Sequence, residues 1–570
     1  MIEQVLEDFD PEGGSRSSTV QVQQVESSPG SKMDSNTESV TDSNRWRDLG
    51  ILFVMNTVAL VQAFDATCIS VVLPALAREL DASFSEALSM GSIFLLATAI
   101  SQPIFAELAH VVGRRPAYIA SLAIFIVGTI LCGAAKSSAM LLGGRAVQGV
   151  GSGGPQALSG LILTDMFPAR KRSQSMAVQN ISWAIGTIAG PLVGGAIVQT
   201  KDSQWRWIFW CSLPLLGGSL AGAMFLLGYD KDQRNCRLIK NLDWIGILLY
   251  TISSTSLVLP LTWAGSRFPW RSPQIIAPLA VSAVVFVALG VYERKTKRPM
   301  FPQGMFKEKS TILQFVNATI HGILMWMVLY YLAVYFLGVK GQTPLMTGVW
   351  ALPATITVAP MAAVVGVVAY KTGRYQGFLI GGWALLVAIF GVMTILDKDT
   401  STAVILVITM FIGVAMGLLF PVMAIGVQAI VKKDDVGHAV SMIYVLRTMG
   451  QCLGIALGIV VFSVELAKAL TQMGLDSAQV ENAMRLIKAS VEQGGIGQSP
   501  MADAVSTALQ HLWLTGCVLS GLALILSLFT RCPNLPKDGE PASTGFDFGD
   551  KTAMARVWSC IFRRQAPPVP

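Results

Sequence analysis

Ionisable residues well inside the long apolar stretches of this 570-residue chain are few, and Asp65, Arg145, His321 and Arg447 stand out. A charged Asp or Arg at the centre of a bilayer costs about 2.5–3.5 kcal/mol on insertion scales, so each needs a partner or an aqueous cavity. The chemistry open to such a set is proton uptake, hydrogen bonding of a polar ligand, and exchange of ion-pair partners. Asp65 reads either as a protonation or ligand site or as a capped polar group at the outer end of its helix. Arg145 reads as a buried positive charge whose interaction with an acid or polar ligand changes when a proton binds. Gln148, almost one turn on, shares that cavity. Arg447 fits either a cavity role or a packing role in which its guanidinium satisfies helix-end carbonyls. His321 reads first as a hydrogen-bonded structural group, although Asn317 four residues before it and Trp326 nearby make a polar, aromatic lining. Trp183, Trp326, Tyr330, Trp350 and Phe420 either present flat faces to a bulky amphipathic ligand or fill space between helices.

The elements that hold these residues are hydrophobic helices. The chain is 52% hydrophobic and only 14% charged, too apolar for a soluble protein of this length. From Leu49 to about residue 530, some fourteen apolar stretches recur, each long enough to cross the ~30 Å hydrocarbon core. The expected architecture is an all-α integral membrane protein. An even number of spans puts both ends of the chain on one side. Alternate connections hold roughly nineteen Lys and Arg against about eight in the others, and the richer set, with both termini, is expected to face the cytoplasm. The net charge of +7 is dispersed among these short loops with no aromatic-interleaved patch, so no nucleic-acid partner is expected. Eight cysteines are scattered without metal-site or disulfide spacing and read as small packing residues.

Residues 1–48 are polar and read as a disordered cytoplasmic tail. The first span is expected to act as an uncleaved targeting signal. The connection 464–507 is the longest, is placed outside, and carries Val480, Ala483, Met484, Ile487 and Val491 on one helical face, which suits a cap on the bundle or a membrane-surface helix. A cytoplasmic C-terminal tail is expected over 531–570, with Trp558, Cys560, Ile561, Phe562, Arg563 and Arg564 as a combination suited to docking on anionic lipid or to accepting a palmitate.

One stretch, Ser182 to Gly195 (SWAIGTIAGPLVGG), repeats glycine every fourth residue at Gly186, Gly190 and Gly194, so one helical face lacks Cβ atoms and allows backbone-to-backbone approach. Pro191 deletes a ladder hydrogen bond within it, so a bend or soft point is expected there. The same ladder returns about 264 residues later as Gly450, Gly454 and Gly458. The string AELAHVVGRR, 106–115, returns about 260 residues later as GVVAYKTGRY, 366–375. A repeat displaced by eight helices predicts two six-helix halves, 49–228 and 311–530, with a two-helix insertion and its loops at 229–310 between them.

These residues also match a known pattern. Phe64 to Pro74 (FDATCISVVLP) resembles LDxTIVNVALP, and Gly144 to Gly153 (GRAVQGVGSG) is similar to GRxxQGxGxG, whose arginine is buried. Gly186 to Gly195 resembles the antiporter motif GxxxGPxxGG, and Trp205 to Phe209 (WRWIF) is a further shared feature. Over about 49–530 the chain resembles the major facilitator superfamily, in particular its fourteen-spanner drug:proton antiporters of the fungal efflux-pump type. The resemblance implies two pseudo-symmetric halves with two inserted helices, alternating access about a midplane cavity, and Gly186, Gly190, Pro191, Gly194 and Gly195 as the conformational packing motif. It implies a cytoplasmic gating loop at Glu107, His110, Gly113, Arg114 and Arg115. This loop departs from the family's GxLaDrxGRR/K: Ala106 replaces the glycine, His110 the aspartate and Val111 the arginine. Glu107 is then a candidate replacement charge for a basic partner, and His110 a candidate pH-sensitive element. Ala333 and Leu337 stand where the family often has proline and glutamine, on a helix expected to face the pore.

The function implied is export of small, mostly hydrophobic organic compounds, a drug, toxin or secondary metabolite, exchanged for protons at the plasma membrane. Vacuolar movement of a small solute such as a basic amino acid or siderophore is the alternative, and a non-transporting membrane sensor a remote one. No P-loop is present, so the energy is expected from a proton gradient, with no cofactor and no metal. Nor is a metal cluster or a supported nucleophile–base pair visible in the spans, so no enzymatic activity is expected. The partners expected are the lipid bilayer, protons and the small-molecule substrate, with a single copy sufficient.

Overall fold

The computed structural model describes residues 35–166, 169–200, 202–227, 242–264, 268–296, 299–432, 435–472, 500–531 and 533. The chain divides into two units at Arg47 and Asp48, and apart from the first residues of α1 everything below concerns the second. The described residues form helices α1 (Ser35–Glu79), α2 (Phe84–Val112), α3 (Arg114–Gly133), α4 (Ser138–Met166), α5 (Ala169–Thr200), α6 (Trp207–Trp210), α7 (Ser212–Leu226), α8 (Trp244–Trp263) and α9 (Pro273–Lys295). They continue with α10 (Lys309–Gly338), α11 (Pro344–Ile356), α12 (Val358–Thr372), α13 (Gln376–Met393), α14 (Thr402–Ile430), α15 (Val436–Gln472) and α16 (Pro500–Leu528). Thirteen of the described helical segments are long and apolar enough to cross a membrane. The fourteenth, α4, has the length but is diluted by Arg145, Gln148, Gln156 and its many glycines.

Those glycines have a packing cause. A Cβ on Gly149 would lie 2.3 Å from the Phe94 carbonyl oxygen of α2, and one on Gly151 would lie 2.1 Å from the Phe125 amide of α3. Alternate positions of α4 therefore serve two neighbours at backbone distance, which is how helices associate where lipid removes the hydrophobic drive.

The two glycine ladders do equivalent work. In the first half, Gly186 meets Leu60 O, Gly190 meets Thr67 Oγ1 and Gly194 meets Cys68, all on α1. In the second, Gly450 meets Thr319 O, Gly454 meets Ile323 O and Gly458 meets Tyr331, all on α10. So α1–α5 and α10–α15 are the same pair built twice, and the fold is two pseudo-symmetric halves. The halves meet along α2–α15 and along α5–α11. The inserted α8 and α9 are held together by Ser282 Oγ donating to Ser253 O at 2.8 Å, and α8 lies against both α2 and α15. Apolar side chains such as Phe53 (73% exposed), Phe225 (86%) and Val284 (69%) form a perimeter that only lipid would cover.

Several boundaries differ from expectation. Helix α1 starts at Ser35, inside the stretch read as tail, because extending an existing helix adds a hydrogen bond for each residue fixed. The span expected over 345–369 is two helices broken at Thr357. Pro360 cannot donate to the Ile356 carbonyl, and Thr357 Oγ1 turns back to Pro353 O at 2.8 Å. The span expected over 207–228 is two helices, α6 and α7, preceded by a 3-10 turn over Asp202–Arg206. Helix α5 runs unbroken through Pro191. The amphipathic run at 480–491, the tail from 534 and residues 1–34 lie outside the described residues.

Candidate functional site

Three of the expected residues are brought together. Asp65 from α1 and Arg145 and Gln148 from α4 are all fully or almost fully buried. Arg145 Nη1 donates to Asp65 Oδ2 at 2.6 Å and to Gln148 Oε1 at 2.7 Å, and Nε donates to Met90 O at 3.1 Å. Gln148 Nε2 donates in turn to Thr129 Oγ1 at 3.1 Å, and the Phe94 ring lies 4.2 Å from the guanidinium carbon. One atom of each charged partner, Asp65 Oδ1 and Arg145 Nη2, is buried without a hydrogen-bond partner. A fully buried ion pair with a spare acceptor and a spare donor is poised to take a proton or a small polar group. Serving the neighbouring strip, Gln62 Nε2 donates to Ser152 O at 2.6 Å and ties α1 to α4 a turn away.

The other half reaches this pair through Tyr330. Its ring is buried, its hydroxyl donates to Ala66 O at 3.4 Å, and a Cβ on Gly91 would lie 2.1 Å from that oxygen. Tyr330 thus spans from α10 to the residue next to Asp65. The sequence offered it only as one aromatic among several. Tyr330→Phe removes a long neutral hydrogen bond worth about 0.5–1.5 kcal/mol. The expected result is a folded protein with a thermal midpoint lowered by about 2 °C at most and a several-fold slower transport rate. A rate equal to wild type would show that the hydroxyl carries no signal between the halves.

His321 and Arg447 lie apart from the ion pair, in a nest of α10, α14 and α15. His321 Nε2 faces Met416 O at 3.3 Å, so in the neutral ring the proton belongs on Nε2 and Nδ1 is left as an unpartnered acceptor. Arg447 Nη2 donates to Phe420 O at 3.0 Å, with the Phe420 ring 4.1 Å and the Tyr444 ring 5.5 Å from its guanidinium carbon. Asn317 does not join His321; its amide donates to Ser527 Oγ at 3.1 Å. Trp326 is buried with its indole N–H unpartnered.

Pro191 and Gly195 place α5 against the second half. A Cβ on Gly195 would lie 2.5 Å from Pro344 O, and one on Gly348 would lie 2.7 Å from Pro191 O. The motif therefore has two faces, with the ladder on α1 and the Pro191–Gly195 face on α11. On α2–α15, Gln102 Nε2 donates to Thr448 Oγ1 at 3.2 Å and Cys452 Sγ to Ser92 O at 3.0 Å.

The loop after α2 turns at Gly113, whose φ of 93° suits glycine. Arg114 donates to Leu161 O at 2.7 Å and pairs with Asp165 of α4, and Arg115 donates to Met224 O of α7, so the two arginines clasp their own half. Glu107 forms no ion pair among the described residues, and Asp243, another carboxylate, is the charge that acts on it. His110 is exposed, with Arg114 and His438 as neighbours. Glu79, which the sequence reading did not single out, accounts for the WRWIF stretch. It accepts from Trp205 Nε1 at 2.9 Å and pairs with Arg206, whose Nη2 also donates to Ala135 O at 2.9 Å.

Comparison with known proteins bears on this arrangement. Residues 55–455 match the Major Facilitator Superfamily. The chain is 36% identical over 493 residues to "MFS transporter L2" of Phoma sp., covering 85% of this chain and 82% of that one. It is 30% identical to the "Acurin A biosynthesis cluster MFS-type transporter" of Aspergillus aculeatus, over 90% and 93% of the two chains. The "Efflux pump FUS6" of Gibberella fujikuroi is also 30% identical, over 84% and 88%. Among solved structures, a bacterial homologue of the human lysosomal transporter Spinster, inward-facing and unoccupied, aligns with a TM-score of 0.55 at 16% identity, over 85% of this chain and 97% of that one.

Proposed function

Because this chain belongs to the major facilitator superfamily, we propose that its geometry serves export of small, mostly hydrophobic organic compounds in exchange for protons. The observation that carries the proton half of this reading is the Asp65–Arg145 pair, buried, incompletely bonded, and touched from the opposite half through Tyr330. Protonating Asp65 neutralises one member and strands a guanidinium in a dry interior, which costs several kcal/mol. Any arrangement of the halves that lets Arg145 meet water or another acceptor is then favoured. That differential is what a coupling ion must supply, since a ligand shifts an equilibrium only by its difference in affinity for the two states. A proton crossing 100 mV releases about 2.3 kcal/mol, enough to support more than a tenfold gradient of cargo.

The export direction is supported by relatives that carry the name efflux pump. Multi-pass insertion follows from the spans, and residence at the plasma membrane with both termini cytoplasmic is part of the proposal. Both halves of one copy complete the site, which suits a monomer. The test is uptake of a panel of fluorescent hydrophobic compounds into inside-out vesicles from an expressing strain, energised by an imposed pH difference. At least one compound is expected to accumulate, and to stop accumulating when an uncoupler collapses the gradient. Accumulation that ignores the uncoupler would sink proton antiport.

A further inference from the structure

The two buried guanidiniums are treated differently. Arg145 has Asp65 as counter-charge, whereas Arg447, 3% exposed, has no carboxylate in ion-pair range among the described residues. Among the described residues its charge is met by the Phe420 carbonyl and by aromatic faces, and its Nε is buried with no acceptor. Such a cation inside a membrane bundle is costly without a partner. Its position is also fixed: a Cβ on Gly322 would lie 2.2 Å from the Arg447 carbonyl oxygen, so α10 and α15 grip the backbone there. The next residue, Thr448, bonds Gln102 of α2 across the seam between the halves, and the Oε1 of that glutamine is itself buried and unpartnered. Tyr444, one turn earlier on α15, is 36% exposed, so the aromatic group beside the guanidinium is itself accessible in part.

We propose that Arg447 is the recognition point for an anionic group on the cargo, a carboxylate or equivalent acidic oxygen, which brings the counter-charge that the described residues of this half do not provide. Phe420 and Tyr444 then flank an aromatic or otherwise flat apolar body attached to the acid. The cargo class is an amphipathic organic acid. A charge-assisted bond to a desolvated guanidinium is roughly twice as strong as a neutral one, so the acid should be preferred over its neutral isostere by about tenfold or more.

This inference rests on the export reading and is tested apart from it. The purified full chain in detergent is titrated with benzoate, 1-naphthoate and anthracene-9-carboxylate, each against its primary amide, with thermal midpoint and apparent affinity as readouts. At least one acid is expected to stabilise the wild type with an affinity about tenfold or more above that of its amide. Arg447→Gln is expected to erase the preference, and Arg447→Lys, which keeps the charge but not the fork, to retain part of it. Equal behaviour of acids and amides on the wild type overturns the inference without any variant, as does a preference that survives Arg447→Gln. Proton-driven flux is read separately in vesicles. Lost acid preference with flux intact removes this inference alone, and uncoupler-insensitive flux with the preference intact removes proton antiport alone.

Discussion

Asp65→Asn is expected to lower stability by about 3–5 kcal/mol and to reduce proton-driven transport by about 100-fold or more. The substitution keeps shape but removes the charge that faces Arg145 Nη1 at 2.6 Å, leaving a fully buried guanidinium with no counter-ion. Arg145→Ala should damage the fold less, because the stranded carboxylate can neutralise itself by taking a proton, whereas a guanidinium cannot lose one. Transport should fail in both. The double variant Asp65→Asn/Arg145→Gln, with neither charge of the pair left, should regain most of the lost stability and none of the transport. Unfolding in detergent and vesicle flux, measured on all three, decide the matter. A stable Asp65→Asn protein that still exchanges protons for cargo would remove the ion pair from the mechanism.

Valine at Gly186 and valine at Gly195 should fail in different ways, although the positions are nine residues apart on one helix. At Gly186 the new Cβ would fall 2.3 Å from Leu60 O, so α5 and α1 of the same half cannot close. Overpacking of this kind costs about 1–3 kcal/mol or more, and the expected outcome is protein that accumulates poorly and unfolds early. At Gly195 the obstacle is Pro344 O of the other half, at 2.5 Å. Each half can still form, but the seam between α5 and α11 is wedged apart, so the protein should fold and lose about tenfold or more in transport because one arrangement of the halves is no longer reached. Gly348→Val, against Pro191 O, should repeat the Gly195 result. If Gly195→Val were as unstable as Gly186→Val, or carried cargo at the wild-type rate, the two faces of α5 would not have separate duties.

How the chain divides between what is legible along it and what is not follows from the range of each signal. Hydropathy, glycine spacing and the repeated strings are local, and they determined the membrane class, the doubled six-helix plan with two inserted helices, and the α5 ladder as a close-contact face. They also marked Asp65, Arg145, Gln148, His321 and Arg447, because an ionisable or amide group in an apolar run is conspicuous wherever the run folds. What each group faces is not local. Tertiary structure decided that Asp65 meets Arg145 across eighty residues while Arg447 meets rings and a carbonyl, that Tyr330 crosses to Ala66, and that Glu79 holds Trp205 and Arg206. Such partnerships depend on which faces of which helices are opposed. In a bundle of similar apolar helices that choice is made by a few glycines and polar atoms acting together, and no single stretch of sequence contains it.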